Sequence, residues 1–188
     1  MTSSMYGAGA EYALHSLLNL AARKEPASVR DLADFQGIPE RFLAKLFSKL
    51  RKAGIVAGTE GIAGGFVLAR PPERVTFLDV LEAVDPRRTL FECAEVRRHC
   101  DLFEGAPPEW ATKGMCRIHA FMDEAGQALK AHLASKTLAD LMVEFERKAP
   151  SAFAEEAALW FRHHTERRTR RQGAGPAPTD KITKRRRS

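Results

Sequence analysis

The sequence predicts a mostly α-helical chain with a small β-hairpin wing: a winged helix-turn-helix domain followed by a long amphipathic helix. Three observations predict it. Two short helical segments meet at Gly37. Two β-prone runs flank the glycine-rich stretch 58–65. An unbroken apolar period of helical spacing begins at Arg117.

A first helix is expected from Ala10 to Ala22, where Leu14, Leu17, Leu18 and Ala21 share one face. Ser28-Val-Arg-Asp31 reads as a capping box, with Asp31 in the acidic place, and opens a short helix through Phe35. Gly37 supplies the turn. Pro39 suits the start of the next helix, where its missing N–H would have had no partner. That helix buries Leu43, Leu46, Phe47 and Leu50 and ends at Gly54, a residue at ease in the left-handed C-terminal conformation. Ile55–Ala57 and Phe66–Ala69 form the hairpin. Thr76-Phe-Leu-Asp79 caps a further helix that stops at Asp85-Pro86.

Residues 86–116 have weak periodicity, three prolines and all three cysteines. A stretch of that length without secondary structure needs something to organise it. From Arg117 to Ala134, the residues Ile118, Phe121, Met122, Ala125, Leu129 and Leu133 mark a long amphipathic helix, broader in its apolar face than a small domain buries easily. Thr137-Leu-Ala-Asp140 starts another. Residues 151–168 could form one more, carrying Phe153, Trp160 and Phe161, and GAGPAPTDKITKRRRS lacks any core-forming face. The expected boundaries are 8–85 for the winged helix-turn-helix domain, 86–116 for a cysteine-bearing loop, and 117–147 for the long helix and its successor. A C-terminal helix at 148–168 and a disordered basic tail at 169–188 complete them.

A length of 188 residues suits one compact domain with an appendage. Three widely spaced cysteines argue against a secreted disulfide scaffold. No run approaches the roughly 20 apolar residues of a membrane span, and the polar start MTSSMYGAGAEY does not read as a secretory leader. A cytoplasmic protein without a membrane partner is expected. The net charge of +6 is unevenly placed: Arg162–Ser188 holds ten Lys/Arg and two acids, whereas residues 1–161 hold 20 Lys/Arg against 22 Asp/Glu. A slightly acidic body with local basic patches points to a polyanion met at particular surfaces.

The second helix of the pair has groove chemistry, with five basic residues and no acid from Arg41 to Lys52. Arg41, Lys45, Ser48, Lys49 and Lys52 lie on its polar face. Lys45 and Lys49, one turn apart, are expected to neutralise phosphates, and Arg41, nearer the helix start, to reach base edges. Pro39 and Phe42 in the same turn, Ser28 at the preceding cap, and Gly64 and Gly65 at the hairpin tip complete a candidate face for double-stranded DNA. Glycine there would let backbone approach a minor groove. The alternative is a three-helix core element whose charged face is merely solvated. No nucleophile elbow, P-loop, dinucleotide fingerprint or His-Glu-x-x-His is present, so an enzyme is not expected.

The run GIPERFLAKLFSKLRKAGIVAGTEGIAGGFVLARPPERVTFLDVLEAVD resembles the winged-helix core of the IscR/NsrR family of bacterial transcription regulators, and the likeness extends over roughly residues 8–147. It implies a homodimer with a long dimerisation helix from Arg117, a palindromic operator set by two-fold symmetry, and in many members an iron–sulfur cluster. Pro39 and Arg41 stand where many members have serine, Phe42 stands for tyrosine, and Ala44 replaces a glutamate that some members use in base reading. A different target sequence follows.

Cys93, Cys100 and Cys116 are separated by six and fifteen residues, a poor fit to a zinc ribbon. Soft thiolates in a loop with no fold of its own suit an iron–sulfur cluster. Glu11-Tyr-Ala-Leu-His15 places a carboxylate and an imidazole on one helical face. That pentad is similar to its counterpart in the redox-sensing RsrR branch of the family. The resemblance implies a [2Fe–2S] cluster held by Glu11 and His15 of one subunit and Cys93 and Cys116 of the other, with Tyr12 as an aromatic neighbour. Two readings stand beside it. Cys116-Arg-Ile-His119 matches the Cys-x-x-His ending of IscR, so Cys93, Cys100, Cys116 and His119 form an alternative set within one chain. The other is an ordinary Glu11/His15 surface pair with free thiols. A regulator sensing redox state through the cluster is therefore expected. The alternatives are a cluster-free thiol- or ligand-responsive regulator of the same fold, and an iron–sulfur carrier or assembly protein.

Overall fold

Helix α1 (Ala8–Ala21) is the central support, and the helix-turn-helix of α2 (Val29–Gln36) and α3 (Glu40–Lys52) packs on it. The hairpin β1 (Val56–Thr59) and β2 (Gly65–Leu68) follows, then α4 (Phe77–Val84). A short α5 (Glu109–Thr112) precedes the long α6 (Arg117–Ala134), α7 (Leu138–Lys148) and α8 (Ser151–Gly173). The structure, a computed structural model, describes residues 5–173 apart from 62 and 87–88. No helix among the described residues is long and apolar enough to cross a membrane.

Local chemistry sets the element ends. Ser28 Oγ accepts the Asp31 N–H at 3.0 Å and Gly37 closes α2 at φ 65°, so the turn forms where glycine permits the left-handed conformation. Thr76 with Asp79, and Thr137 with Asp140, form complete capping boxes at the starts of α4 and α7. These two starts also pair with each other. Phe77 N–H donates to Lys136 C=O and Leu138 N–H to Val75 C=O, both at 2.8 Å, which ties the C-terminal helices to the winged domain.

The hairpin is antiparallel, with Val56 opposite Leu68 and Thr59 opposite Gly65. It has a third participant that local sequence did not suggest. Ala27 pairs with Phe66, donating at 3.0 Å and accepting at 2.8 Å, so the wing is bonded to the residue just before the α2 cap. Leu17, Leu32, Leu43, Phe47, Leu50 and Ile55 are fully buried, and Phe66 meets Phe47 edge-on at 5.1 Å. The wing therefore rests on the same core as α3.

One expectation needs correction. The C-terminal helix runs to Gly173, so residues 169–173 expected in a disordered tail are helical; residues 174–188 lie outside the described residues. The broad apolar stripe of α6 is only partly covered by the chain's own body. Met122, Leu129 and Leu133 are half-buried, whereas Ile118 and Phe121, nearer the N-terminus of the helix, are 65% and 58% exposed.

Candidate functional site

α3 turns Leu43, Leu46, Phe47 and Leu50 into the core, which leaves Arg41, Lys45, Ser48, Arg51 and Lys52 exposed on the outer face beside the wing. This is the geometry of a helix available to a groove. Lys49 is different. Its Nζ donates to the Val84 carbonyl at 2.5 Å, at the C-terminus of α4, where unpaired carbonyls and the helix dipole favour a cation. Phe42 meets Tyr12 of α1 edge-on at 5.8 Å, so the first turn of α3 touches the helix that carries Glu11 and His15.

The wing glycines serve packing. A Cβ at Gly64 would lie 2.3 Å from Thr59 O, and one at Gly65 would lie 2.5 Å from the Ala27 carbonyl group. Both positions are set by the close approach of backbone to backbone. Ser28 is likewise occupied. Arg168 of α8 donates from Nη1 to Ser28 Oγ at 2.5 Å and to the Asp31 carboxylate, and from Nη2 to Gly64 O at 3.5 Å. Asp31 and Arg168 are 5% and 16% exposed, so this is a shielded ion pair joining α2, the wing and α8. The carboxylate expected to close the capping box is engaged here instead.

In the segment 86–116, Arg97 is the organiser. It pairs with Glu95 at 2.8 Å and 3.3 Å and donates to Gly114 O at 2.6 Å, joining the stretch just after Cys93 to the one just before Cys116. That contact holds the Glu95 carboxyl below the usual carboxylate range. The Glu95 N–H reaches Cys93 Sγ at 3.4 Å. Cys116 sits at the N-terminus of α6, where the His119 and Ile118 N–H groups and the Arg97 charge push its thiol below the ordinary cysteine range. Cys93 and Cys116 are half-buried and both interact electrostatically with Arg97, whereas Cys100 is exposed outside that group. His119 packs its ring on Phe91 at 6.1 Å.

Glu11 and His15 are exposed one turn apart on α1, beside a groove of about 720 Å³ whose lining includes Leu14, Leu18, Phe77, Leu81 and Leu141. No hydrogen bond or ion pair holds either side chain among the described residues. Within one chain, no three His, Cys, Asp or Glu side chains among the described residues gather as a metal site. The donor types present, two thiols that both interact with Arg97 and a carboxylate and an imidazole on α1 that engage no described side chain, are ones an iron–sulfur group can use.

With this arrangement in view, the comparisons with known proteins are specific. A family model, Rrf2, described as an iron-dependent transcriptional regulator, matches residues 6–144. The chain belongs to the Rrf2 family of transcriptional regulators. It is 35% identical over 133 residues to the protein rrf2 of Nitratidesulfovibrio vulgaris, covering 70% of this chain and 82% of that one. To the regulator IscR of Aliivibrio salmonicida it is 32% identical over 137 residues, covering 72% and 75%. Among solved structures, IscR of T. potens superposes with a TM-score of 0.58 at 21% identity, over 80% of this chain and 93% of that one. CymR, the global cysteine regulator of B. subtilis, gives 0.56 at 24%, over 77% and 98%. These two show the shared fold.

This Rrf2-family chain is a transcription regulator and not an enzyme. Its family match ends at residue 144, so α8, with Arg168, lies beyond the matched region. Sequence reading missed Arg168 and Arg97 as structural organisers. A cation among several in a basic run carries no mark of its distant partner.

Proposed function

We propose that the chain is a homodimeric, DNA-binding transcription regulator that reads a palindromic operator with α3 and senses redox state through a [2Fe–2S] cluster. The observation that carries the DNA reading is the outward basic face of α3 beside a wing anchored to the core. Arg41 addresses bases, and Lys45, Ser48 and Lys52 address phosphates. The uncovered Ile118 and Phe121 of α6 are the contact with a second copy.

Glu11 and His15 of one subunit, with Cys93 and Cys116 of the partner subunit, would hold the cluster. When bound, it supplies a one-electron couple whose potential is raised by nitrogen and oxygen ligands over an all-thiolate site. The chain's own residues prepare for it. The N-terminal N–H groups of α6 favour the Cys116 thiolate, and Arg97 offsets the negative charge of both sulfurs. Tyr12 on Phe42 connects the ligand-bearing turn of α1 to the first turn of α3, so a change in how α1 packs is felt at the base-reading end. A second reading, a cluster-free thiol-responsive regulator, is favoured by the same activated Cys116.

A visible absorption spectrum of anaerobically purified protein separates the two. Charge-transfer bands that bleach reversibly on reduction support the cluster, and a colourless, iron-free protein that still protects genomic DNA in a footprint supports the thiol reading. Failure to protect any genomic fragment would remove the operator-binding role itself.

A further inference from the structure

Helix α8 is laid along the helix-turn-helix. Phe35, near the end of α2, packs against Trp160 at 5.0 Å and Phe161 at 4.9 Å, and the Arg23 guanidinium covers Phe161 at 3.8 Å. Seven residues further along α8, Arg168 reaches Ser28 and Asp31 at the start of α2. The two seven-residue steps run in opposite directions, so the helices lie antiparallel for about two turns, roughly 10 Å. α8 then continues to Gly173, past the N-terminus of α2 and the wing residue Gly64. Those are the two elements that flank the recognition helix of this fold on a duplex.

We propose that α8 is an accessory DNA-contacting arm, docked by Arg168 so that its exposed arginines meet phosphates flanking the half-site. It rests on the DNA-binding reading above and extends it to a part of the chain outside the family match. The aromatic contacts hold α8 against α2, and the shielded Arg168–Asp31 pair fixes its rotation. A pair with so little water around it tolerates one geometry, because separating the charges leaves a desolvated carboxylate. With Arg168 neutralised by Asp31, the cations left outward in the same turns are Arg162, Arg167 and Arg170, opposed by the single acid Glu166. Arg167 and Arg170 stand about 100° and 160° around the helix from the anchor. The sequence beyond adds Arg171, Lys181, Lys184, Arg185, Arg186 and Arg187 against Asp180. The arm carries no aromatic residue past Phe161, which suits phosphate contact and not base stacking.

The test measures affinity of the full chain for a long random-sequence duplex across a salt series. The double variant Arg167→Gln/Arg170→Gln keeps the anchor and removes two exposed charges. It should flatten the salt slope by up to about 1.8 units, about 0.9 for each phosphate no longer neutralised. A control double variant at exposed cations of α7 and its approach, Lys136→Gln/Lys148→Gln, should leave the slope unchanged. Preference between specific and random DNA should stay the same in both, since phosphate contacts position without specifying. Arg168→Met removes a charge already neutralised, so a fall in slope comparable to the double variant would show that anchoring, and not charge count, delivers the arm. Equal slopes for wild type and Arg167→Gln/Arg170→Gln would overturn the arm while leaving α3 as the reader. A wild-type chain that binds no duplex at any salt would overturn the DNA reading and the arm with it.

Discussion

Lys49 donates its Nζ proton to the Val84 carbonyl at 2.5 Å, bracing the recognition helix against the end of α4. Lys45, one turn earlier on the same face, is exposed with no protein partner among the described residues. Two lysines that periodicity treats as equivalent therefore have different work.

Lys45→Ala should lower affinity for all DNA sequences and reduce the salt slope by about 0.9. Lys49→Ala should change the slope much less and lower folding stability by about 1 kcal/mol, the net worth of one hydrogen bond at a partly solvated site. Binding isotherms over a salt series, paired with thermal denaturation, check both. The reverse pattern would mean that Lys49 leaves Val84 for the duplex.

Gly65→Ala forces a Cβ into the Ala27 backbone and should destabilise the fold by about 1–3 kcal/mol, the usual range for overpacking. Gly58→Ala, in the facing strand and with open space around its Cβ, is the control and should be near neutral. Denaturant unfolding measures both midpoints. Equal midpoints would show that the wing does not depend on its bridge to Ala27.

If the cluster is shared between subunits, Cys93→Ala and Cys116→Ala should each abolish its visible bands. Cys100→Ala should leave them, because that thiol stands apart from the Arg97 group. His119→Ala should leave them as well. Bleaching in the His119 variant would transfer the ligand set to the single-chain alternative.

The Cys116 thiol is lowered first by the His119 and Ile118 N–H groups and then by Arg97. In cluster-free protein, its thiolate should form as pH rises before an ordinary thiol near about 8.5 does. Iodoacetamide labelling followed by peptide mapping should give a midpoint below that of an unperturbed cysteine in a model peptide. Arg97→Gln removes a stabilising cation, so the midpoint should move upward; a downward or absent shift would contradict the geometry.

Phe121→Asp places a charge on the uncovered stripe of α6 and should convert a dimer to a monomer in light scattering, with the helical content kept. Gln127→Lys, which places a charge at another exposed position of the same helix beside Asp123, is the control. A Phe121→Asp protein that stays dimeric would move the interface elsewhere.

Much of the fold and part of the candidate site are readable along the chain, and the reason is range. The Ser28, Thr76 and Thr137 caps, the Gly37 turn, the apolar face of α3 and the exposed Glu11/His15 pair depend on residues within one or two turns of each other. Residue type and spacing determine them. Tertiary packing alone decided which of two exposed lysines a turn apart is held by a carbonyl, which carboxylate holds Arg168, and which two of three cysteines share Arg97. It also decided that Gly64 and Gly65 serve backbone packing in the wing, and that part of the apolar stripe of α6 is covered while Ile118 and Phe121 are not. Asp31 and Arg168 are 137 residues apart, and a long flexible cation in a basic run carries no local mark of its partner. Periodicity tells that a face seeks cover; only the folded chain determines what covers it.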